Sequence, residues 1–399
     1  MTAVEITSDV NDPATLILMA GGGGETPIEQ AMAEAYRAAA RDTIERALAA
    51  DVTSHIIFAT DRAEWADTLS DLPVQIDLDA HPPAPFHFGR RLAGIIQHHD
   101  IRRAFYLSGG GAPLMDGLAL RAVADAIHQN EGLIVTNNVH SSDWAAFTPA
   151  DVAVRLADEL RSDNSLGWIL SRLGGLAAQE WPRTAATQFD LDTPTDLLIA
   201  GLQPMESRLQ PVSEADLHYP AKASIPRIGV HLRAHITALG WDDAHIRAAA
   251  KVLMTPSRQI IIAGRLSQHT WAHLESKTQC WIRVFSEERG MRANDRQDRG
   301  LVRSLLADYL ELVGLERFFR EMSELGDAMF LDSRVILAAR QSWPSPADRF
   351  YSDLYSTNEI ADPFLRDFTT AALAAPIPVV LGGHSLVSGG LWALVDSQS

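Results

Sequence analysis

The chain has 399 residues, 46% of them apolar, which is material for two α/β cores of ordinary size rather than one. A formal charge of −17 works against nucleic acid as a partner, because such binding depends on basic groups displacing counterions from phosphates. The single cysteine, Cys280, excludes an internal disulfide and a thiolate zinc cluster, and it fits a reducing compartment.

At the start of the chain, MTAVEITSDVND has neither the basic residues nor the apolar stretch of a signal peptide. Its longest apolar runs, such as LILMA and IPVVLGG, fall far short of the roughly 20 residues that span a bilayer. A soluble, cytoplasmic protein without a membrane partner is expected. Only three of the 34 basic residues are lysine, a bias that reads as genome composition rather than function.

From residue 15 onward, TLILMA (15–20), SHIIFAT (54–60), PVQIDL (73–78), RRAFYLS (102–108) and GLIVTN (132–137) read as strands. They alternate with helical patterns such as 27–50 and 113–129, which predicts a mostly parallel sheet with helices on both faces. After the first strand come Gly21, Gly22, Gly23 and Gly24, then a Thr26/Glu29 capping box with Pro27 in the first helical turn. Two readings stay open for these glycines: a plain turn using positive φ, or a nest of backbone amides for an anion at a helix start.

Further along, SGGGAPLM (108–115) places a second glycine turn, with Gly110 and Gly111, after a central strand. VTNNVHSSDWAAF (135–147) sets Asn137, Asn138, His140, Ser141, Ser142 and Asp143 in a loop directly after a strand, a dense set of donors and acceptors for a substrate. His81, His87, His98 and His99 show no metal-site spacing and are assigned no role. In QFDLDTPTDLLIA (188–200), Thr193, Pro194 and Asp196 are accounted for as a helix start. Asp190 and Asp192 are not. Read as two apart at a strand end, they face the same way, either as ligands of Mg²⁺ or as solvated turn residues.

Together, the glycine loop after the first strand, the SGGGAPLM turn and the DLDTPTDL stretch resemble the nucleotidyltransferase-like GT-A fold. The likeness is to cytidylyl- and guanylyltransferases of the nucleotide-diphospho-sugar transferase superfamily, and it covers residues 15 to about 202. That resemblance implies Mg²⁺-dependent transfer of a nucleoside monophosphate from a nucleoside triphosphate to a phosphorylated acceptor, with pyrophosphate leaving and Asp190 and Asp192 on the metal. It also places Gly21, Gly22, Gly23 and Gly24 near phosphate, and Asn137 and Asn138 on base or sugar. The chain departs from the family pattern twice. GGGGETPIEQ has no basic residue before Arg37, where the family carries Arg and Lys. Gly109, Gly110 and Gly111 stand where the family carries a metal-binding Asp before Pro113.

Residues 203–227, with four prolines and no clear period, read as a linker between a first domain (1–202) and a second α/β domain (228–399). In the second half RQIIIAG, CWIRVFS, AMFLDSR and IPVVLGG read as strands, with helices at about 267–278, 291–325 and 347–375. Arg289, Arg292, Arg296, Arg299 and Arg303 recur at spacings of three and four, so a helix over 291–313 would carry most of them on one face, as an anion clamp or as a solvated face paired with Glu288 and Asp295, with Arg289 directly after a strand as the exception. GGHSLVSGG (382–390) lacks the last glycine of G-x-S-x-G, and no histidine follows His384, so it is not a hydrolase elbow. Its glycines point instead to close approach of the backbone to a ligand or another chain, with His384 and Ser385 beside Arg334 as candidate binding residues. Two alternatives to the transferase remain: a binding or scaffold protein that kept the fold and lost the chemistry, or an active site in the second half around Glu288, Arg289, Arg334 and His384. Homo-oligomerisation is left open.

Overall fold

The computed structural model describes residues 13–79, 81, 85–206, 226–291 and 295–398. The bulk of the expected linker, 207–225, and Arg292 lie outside the described residues.

The first sheet contains β1 (Thr15–Met19), β2 (Ile56–Thr60), β3 (Gln75–Leu78), β4 (Ala104–Ser108), β5 (Leu133–Thr136), β6 (Trp144–Thr148) and β7 (Ala177–Glu180), in the order β3-β2-β1-β4-β6-β5-β7. All pairs are parallel except those of β6, which runs antiparallel to β4 and β5. Both faces are covered. Leu16 and Leu18 pack with Ile44, Leu120 and Val123 of the helices Pro27–Ala49 and Gly117–Gln129, whereas Ile17 packs with Leu92, Ile95 and Leu170 of the helices Phe88–His98 and Leu166–Arg172. Successive residues of β1 thus point to opposite helical layers, as the pleat requires.

Two strands were not expected from the sequence. β6 lies within the stretch read as a loop; WAAFT is buried on both faces and shows no alternation. β7, AAQE, is an exposed edge strand with little apolar content, held to β5 by backbone pairing.

The second sheet is all parallel, with β8 (Gln259–Gly264), β9 (Trp281–Ser286), β10 (Ala328–Asp332) and β11 (Val379–Gly382) in the order β11-β10-β8-β9. The helix expected over 291–325 is instead two helices, Leu305–Val313 and Leu315–Ser323, separated by Gly314 at φ +80°. The described residues before Leu305 form turns and irregular backbone, with Gly300 at φ +62° and Ser304 capping the next helix, so the expected row of arginines on one helical face does not form. The expected helix 347–375 likewise splits into Pro346–Asp353 and Pro363–Leu373: the first ends before Tyr355 at φ +58°, and the second starts anew with Asp362 as its cap and Pro363 in its first turn.

One apolar cluster contains residues of both halves. Phe189, Leu197 and Ile199 pack in it together with Ile260, Phe330, Val380, Leu386 and Leu391.

Candidate functional site

In an open α/β sheet, ligands bind beyond the carboxyl ends of the strands, where the strand order reverses. In the first sheet that point lies between β1 and β4, and in the second between β8 and β10.

At the first point the loop after β1 turns through Gly22 (φ +65°) and Gly23 (φ +118°) into the helix Pro27–Ala49. The expected capping box is present, with Thr26 Oγ1 donating to Glu29 Oε2 at 2.6 Å. This loop carries its own pair of counter-charges from the end of β2. Asp61 Oδ1 accepts from the Gly22 amide at 2.9 Å, and Arg62 Nε donates to the Gly22 carbonyl at 2.5 Å. A side chain at Gly23 would put its Cβ 2.1 Å from Arg62 Nη2. Arg62 therefore brings a basic group to a loop that has none in its own sequence. Its signal was the pair Asp61-Arg62 directly after the strand IIFAT.

The second glycine turn is filled by the segment that carries the two aspartates. Leu191 donates its amide to the Gly110 carbonyl at 3.0 Å, and Asp190 forms an isolated antiparallel bridge with Gly111. A Cβ at Gly110 would lie 3.0 Å from the Leu191 carbonyl oxygen and 2.9 Å from the Tyr36 ring. Asp190 and Asp192 consequently do not stand at a strand end: the helix Ala185–Gln188 precedes them and the helix Pro194–Leu202 follows. Glycine at 110 and 111 lets this loop lie against the β4 turn.

Asp190, half-buried, and Asp192, exposed, belong to a larger acidic group with Asp143 and Asp196. Burial, then the charges of Asp192, Asp143 and Asp196, hold the Asp190 carboxyl well above the usual carboxylate range. Asp143, at the entrance to β6, is pushed up to about 7 by burial, against the pull of Asn137 and with the push of Asp192 and Asp163. Asp196 is likewise raised to about 7 by burial and by Asp192. Asn137 is buried and committed to this group: its Nδ2 donates to Asp143 Oδ2 at 2.5 Å, and its Oδ1 accepts from the Asp143 amide at 3.1 Å. Asn138 closes a turn, its Oδ1 accepting from the His140 amide and its carbonyl from Ser142 Oγ. Asp143 was noted in the sequence only as one polar residue of a loop. The antiparallel β6 is what turns it toward Asp190.

At the second point, Arg265 after β8 grips Asp332 at the end of β10 with two bonds, Nε to Oδ2 at 2.6 Å and Nη2 to Oδ1 at 3.0 Å. Burial alone would raise Asp332, but Arg265 outweighs it and holds the carboxyl below its usual range. His384 is pushed down to about 4 by burial and by Arg265, with Arg289 adding to the effect, so its imidazole is neutral at physiological pH. Arg334 is buried and bound bidentately by Asp353, at 2.6 and 2.5 Å. Both of its terminal nitrogens serve that structural pair rather than facing a ligand.

The two points meet. Ser385 Oγ donates to Asp196 Oδ2 at 2.6 Å, and Thr195 Oγ1 donates to the Leu381 carbonyl at 2.6 Å. The glycines after His384 do bring backbones together, though within one chain: a Cβ at Gly389 would lie 2.1 Å from the Gln188 carbonyl oxygen.

Acidic and histidine groups able to hold a cation also occur elsewhere. Among the described residues, Asp77/His98/His99 and Asp42/Glu45/His231 each place three ligand atoms within 4.8 Å of one another. Both are already engaged by protein donors, Arg91 and His99 on Asp77, and the His231 and Leu232 amides on Asp42. The carboxylates of Asp143, Asp190 and Asp192 do not converge that closely. Hollows of about 700 Å³, against Phe285, Leu305 and Tyr309, and about 340 Å³, against His55 and Gln75, lie away from them. No described helix is long and apolar enough to cross a membrane.

No protein-family model and no curated protein matches the chain. Among solved structures, a cytidylyltransferase from Leptospira borgpetersenii shares 13% identity over 43% of this chain and 76% of its own, with a TM-score of 0.31. A nucleotidyl transferase from Methanothermobacter thermautotroptrophicus shares 17% identity over 47% of this chain and 94% of its own, with a TM-score of 0.37. CMP:2-keto-3-deoxy-manno-octonic acid synthetase complexed with CTP shares 11% identity over 43% of this chain and 89% of its own, with a TM-score of 0.31. Likenesses at this level assign the chain to no family.

Proposed function

We propose that the chain is a Mg²⁺-dependent nucleotidyltransferase that moves a nucleoside monophosphate onto a phosphorylated small molecule. The observation that carries this reading is the acidic group of Asp143, Asp190 and Asp192, whose charges act on one another beside the β4 glycine turn at the carboxyl edge of the first sheet. Carboxylates whose charges raise one another's proton affinity repel, and a hard divalent cation with oxygen preference relieves that repulsion. Asp190 and Asp192, with Asp143, would hold Mg²⁺, which when bound neutralises phosphate charge. The chain's own groups then divide the remaining work. Arg62 and the amides of the 21–24 turn face the phosphates, and Asn137 keeps Asp143 oriented. The Asp196–Ser385 bond fixes the loop that presents Asp190 and Asp192.

A second reading, a binding protein without turnover, is favoured by one contact. The Gly22 amide, which an incoming phosphate would need, is already taken by Asp61.

Incubation with each of the four nucleoside triphosphates, Mg²⁺ and a panel of sugar phosphates, read as pyrophosphate release, separates the two. Release that is lost on Asp190→Asn supports the transferase. Calorimetric binding of a nucleotide without release supports the binding protein, and absence of both binding and release ends both readings.

A further inference from the structure

Sheet topology sends four basic or imidazole side chains to the carboxyl edges of the two sheets. Arg265 directly follows β8, Arg289 lies three residues beyond β9, and His384 lies two beyond β11, so all three stand at the carboxyl edge of the second sheet. Arg183 follows β7 at the carboxyl edge of the first sheet. Arg183 and Arg265 both bear on Arg289, whose guanidinium is disfavoured in its charged form by burial and by their two charges.

What distinguishes Arg289 from its neighbours is the fate of the nearby carboxylates. Glu287 Oε1 accepts from Ser304 Oγ at 2.7 Å and from the Leu306 amide at 3.1 Å, which uses it to start a helix. Glu288 is bound by Arg296 at 2.8 and 3.0 Å. Asp332 belongs to Arg265, and Glu180 accepts from Arg183 at 2.9 Å. Among the described residues Arg289 has neither an ion pair nor a hydrogen bond. Three guanidiniums brought close enough from two sheet edges to act on one another, with one lacking a counter-charge among the described residues, make an arrangement that a doubly or triply charged oxyanion would complete. His384 adds an uncharged imidazole there. Arg183 also donates to Gln188 Oε1 at 3.2 Å, and Gln188 Nε2 to the Asn137 carbonyl at 3.3 Å, so Arg183 is joined through Gln188 to Asn137, the residue whose side chain holds Asp143.

We propose that Arg183 of the first half, with Arg265 and Arg289 of the second and beside His384, forms a phosphate-binding site between the carboxyl edges of the two sheets. The site supplies the basic groups absent from the sequence of the 21–24 turn. Its occupant is a phosphoryl group, either that of a phosphorylated acceptor or the pyrophosphate product; this assignment of the occupant rests on the transferase reading, whereas phosphate binding itself does not.

The test uses the full chain without nucleotide or Mg²⁺, titrated calorimetrically with inorganic phosphate and, separately, with pyrophosphate. Saturable binding that weakens about tenfold or more in Arg289→Gln, and is largely restored in Arg289→Lys, supports the site. Tighter binding of pyrophosphate than of phosphate identifies the product as occupant, and the reverse identifies the acceptor group. Because Arg289 has no ion-pair or hydrogen-bond partner among the described residues, both variants should melt with the wild type, which separates lost binding from lost fold. No saturable heat with either anion, or equal affinity in wild type and Arg289→Gln, overturns the proposal whether or not the chain releases pyrophosphate in the turnover assay.

Discussion

Ser385 Oγ and Asp196 Oδ2 lie 2.6 Å apart, and through that bond the turn after β11 is fastened to the loop carrying Asp190 and Asp192. Asp196 Oδ2 also accepts from the Asp192 amide (3.1 Å), the Thr193 amide (2.7 Å) and Thr193 Oγ1 (2.8 Å), while its Oδ1 is buried without a hydrogen-bond partner. One carboxylate therefore starts a helix and joins two sheets.

Ser385→Ala removes one of four donors to a buried acceptor and should lower unfolding free energy by about 1–3 kcal/mol. Urea denaturation measures this. Ser385→Thr, which keeps a hydroxyl, should recover part of the loss; an unchanged midpoint in Ser385→Ala would show that the bond contributes nothing.

The acidic group makes stability depend on pH in a direction opposite to that of ordinary paired carboxylates. Asp143 and Asp196 titrate near 7 when folded, and Asp190 is also raised, whereas unfolded aspartates titrate near 3.9. Between those values the folded chain holds protons that the unfolded chain has lost. The stability contribution of these groups is complete below about pH 4 and is lost as pH rises through their raised folded values, about 7 for Asp143 and Asp196. Mg²⁺, which binds the ionised form, should therefore raise the melting temperature more at pH 8 than at pH 5, with little gain in Asp190→Asn or Asp192→Asn. Fluorimetric melts with and without Mg²⁺ across that range provide the check, and a gain independent of pH would argue against these carboxylates as the site.

Gly23 adopts φ +118°, and a Cβ there would meet Arg62 Nη2. Gly23→Ala should cost on the order of 1 kcal/mol or more from backbone strain and displace Arg62 from the turn. Under the transferase reading, both Gly23→Ala and Arg62→Gln raise the KM for nucleotide with a smaller change in kcat. Steady-state kinetics would reveal this split, and a pure kcat effect would remove Arg62 from the binding role.

Arg334 and Asp353 form a buried bidentate pair. Asp353→Ala leaves a guanidinium buried without its partner, so a loss of about 3–5 kcal/mol is expected. Substitution of both residues by apolar side chains of similar volume should cost much less. A double-mutant cycle in chemical denaturation distinguishes these outcomes.

The cluster that unites Phe189, Leu197 and Ile199 with Phe330, Val380 and Leu386 means that residues 226–399, produced alone, would expose an apolar face built to be covered. That fragment should elute as aggregate in size-exclusion chromatography. A monodisperse fragment with a cooperative melt would instead establish the second half as an independent domain.

Much of the secondary structure was legible because its causes are local. Runs such as LILM and QIIIAG announce buried parallel strands, and Thr26/Glu29 and Thr193/Asp196 announce helix starts within four residues. β6 and β7 were not legible, one because it is buried on both faces and the other because it is a polar edge held by backbone bonds. The candidate site divides in the same way. Asp190 and Asp192 stood out in sequence because helix capping left them unexplained.

Asp143, Arg62 and the second use of Asp196 did not stand out, because each depends on a strand placed beside another far away in the chain. Ser385 is 189 residues from Asp196, and Arg62 is 40 from Gly22. Periodicity and capping chemistry reach only a few residues along the chain, so the sequence by itself determined the elements. Which carboxyl ends face one another follows from strand order and from the shared apolar layer, and only the tertiary structure decided that.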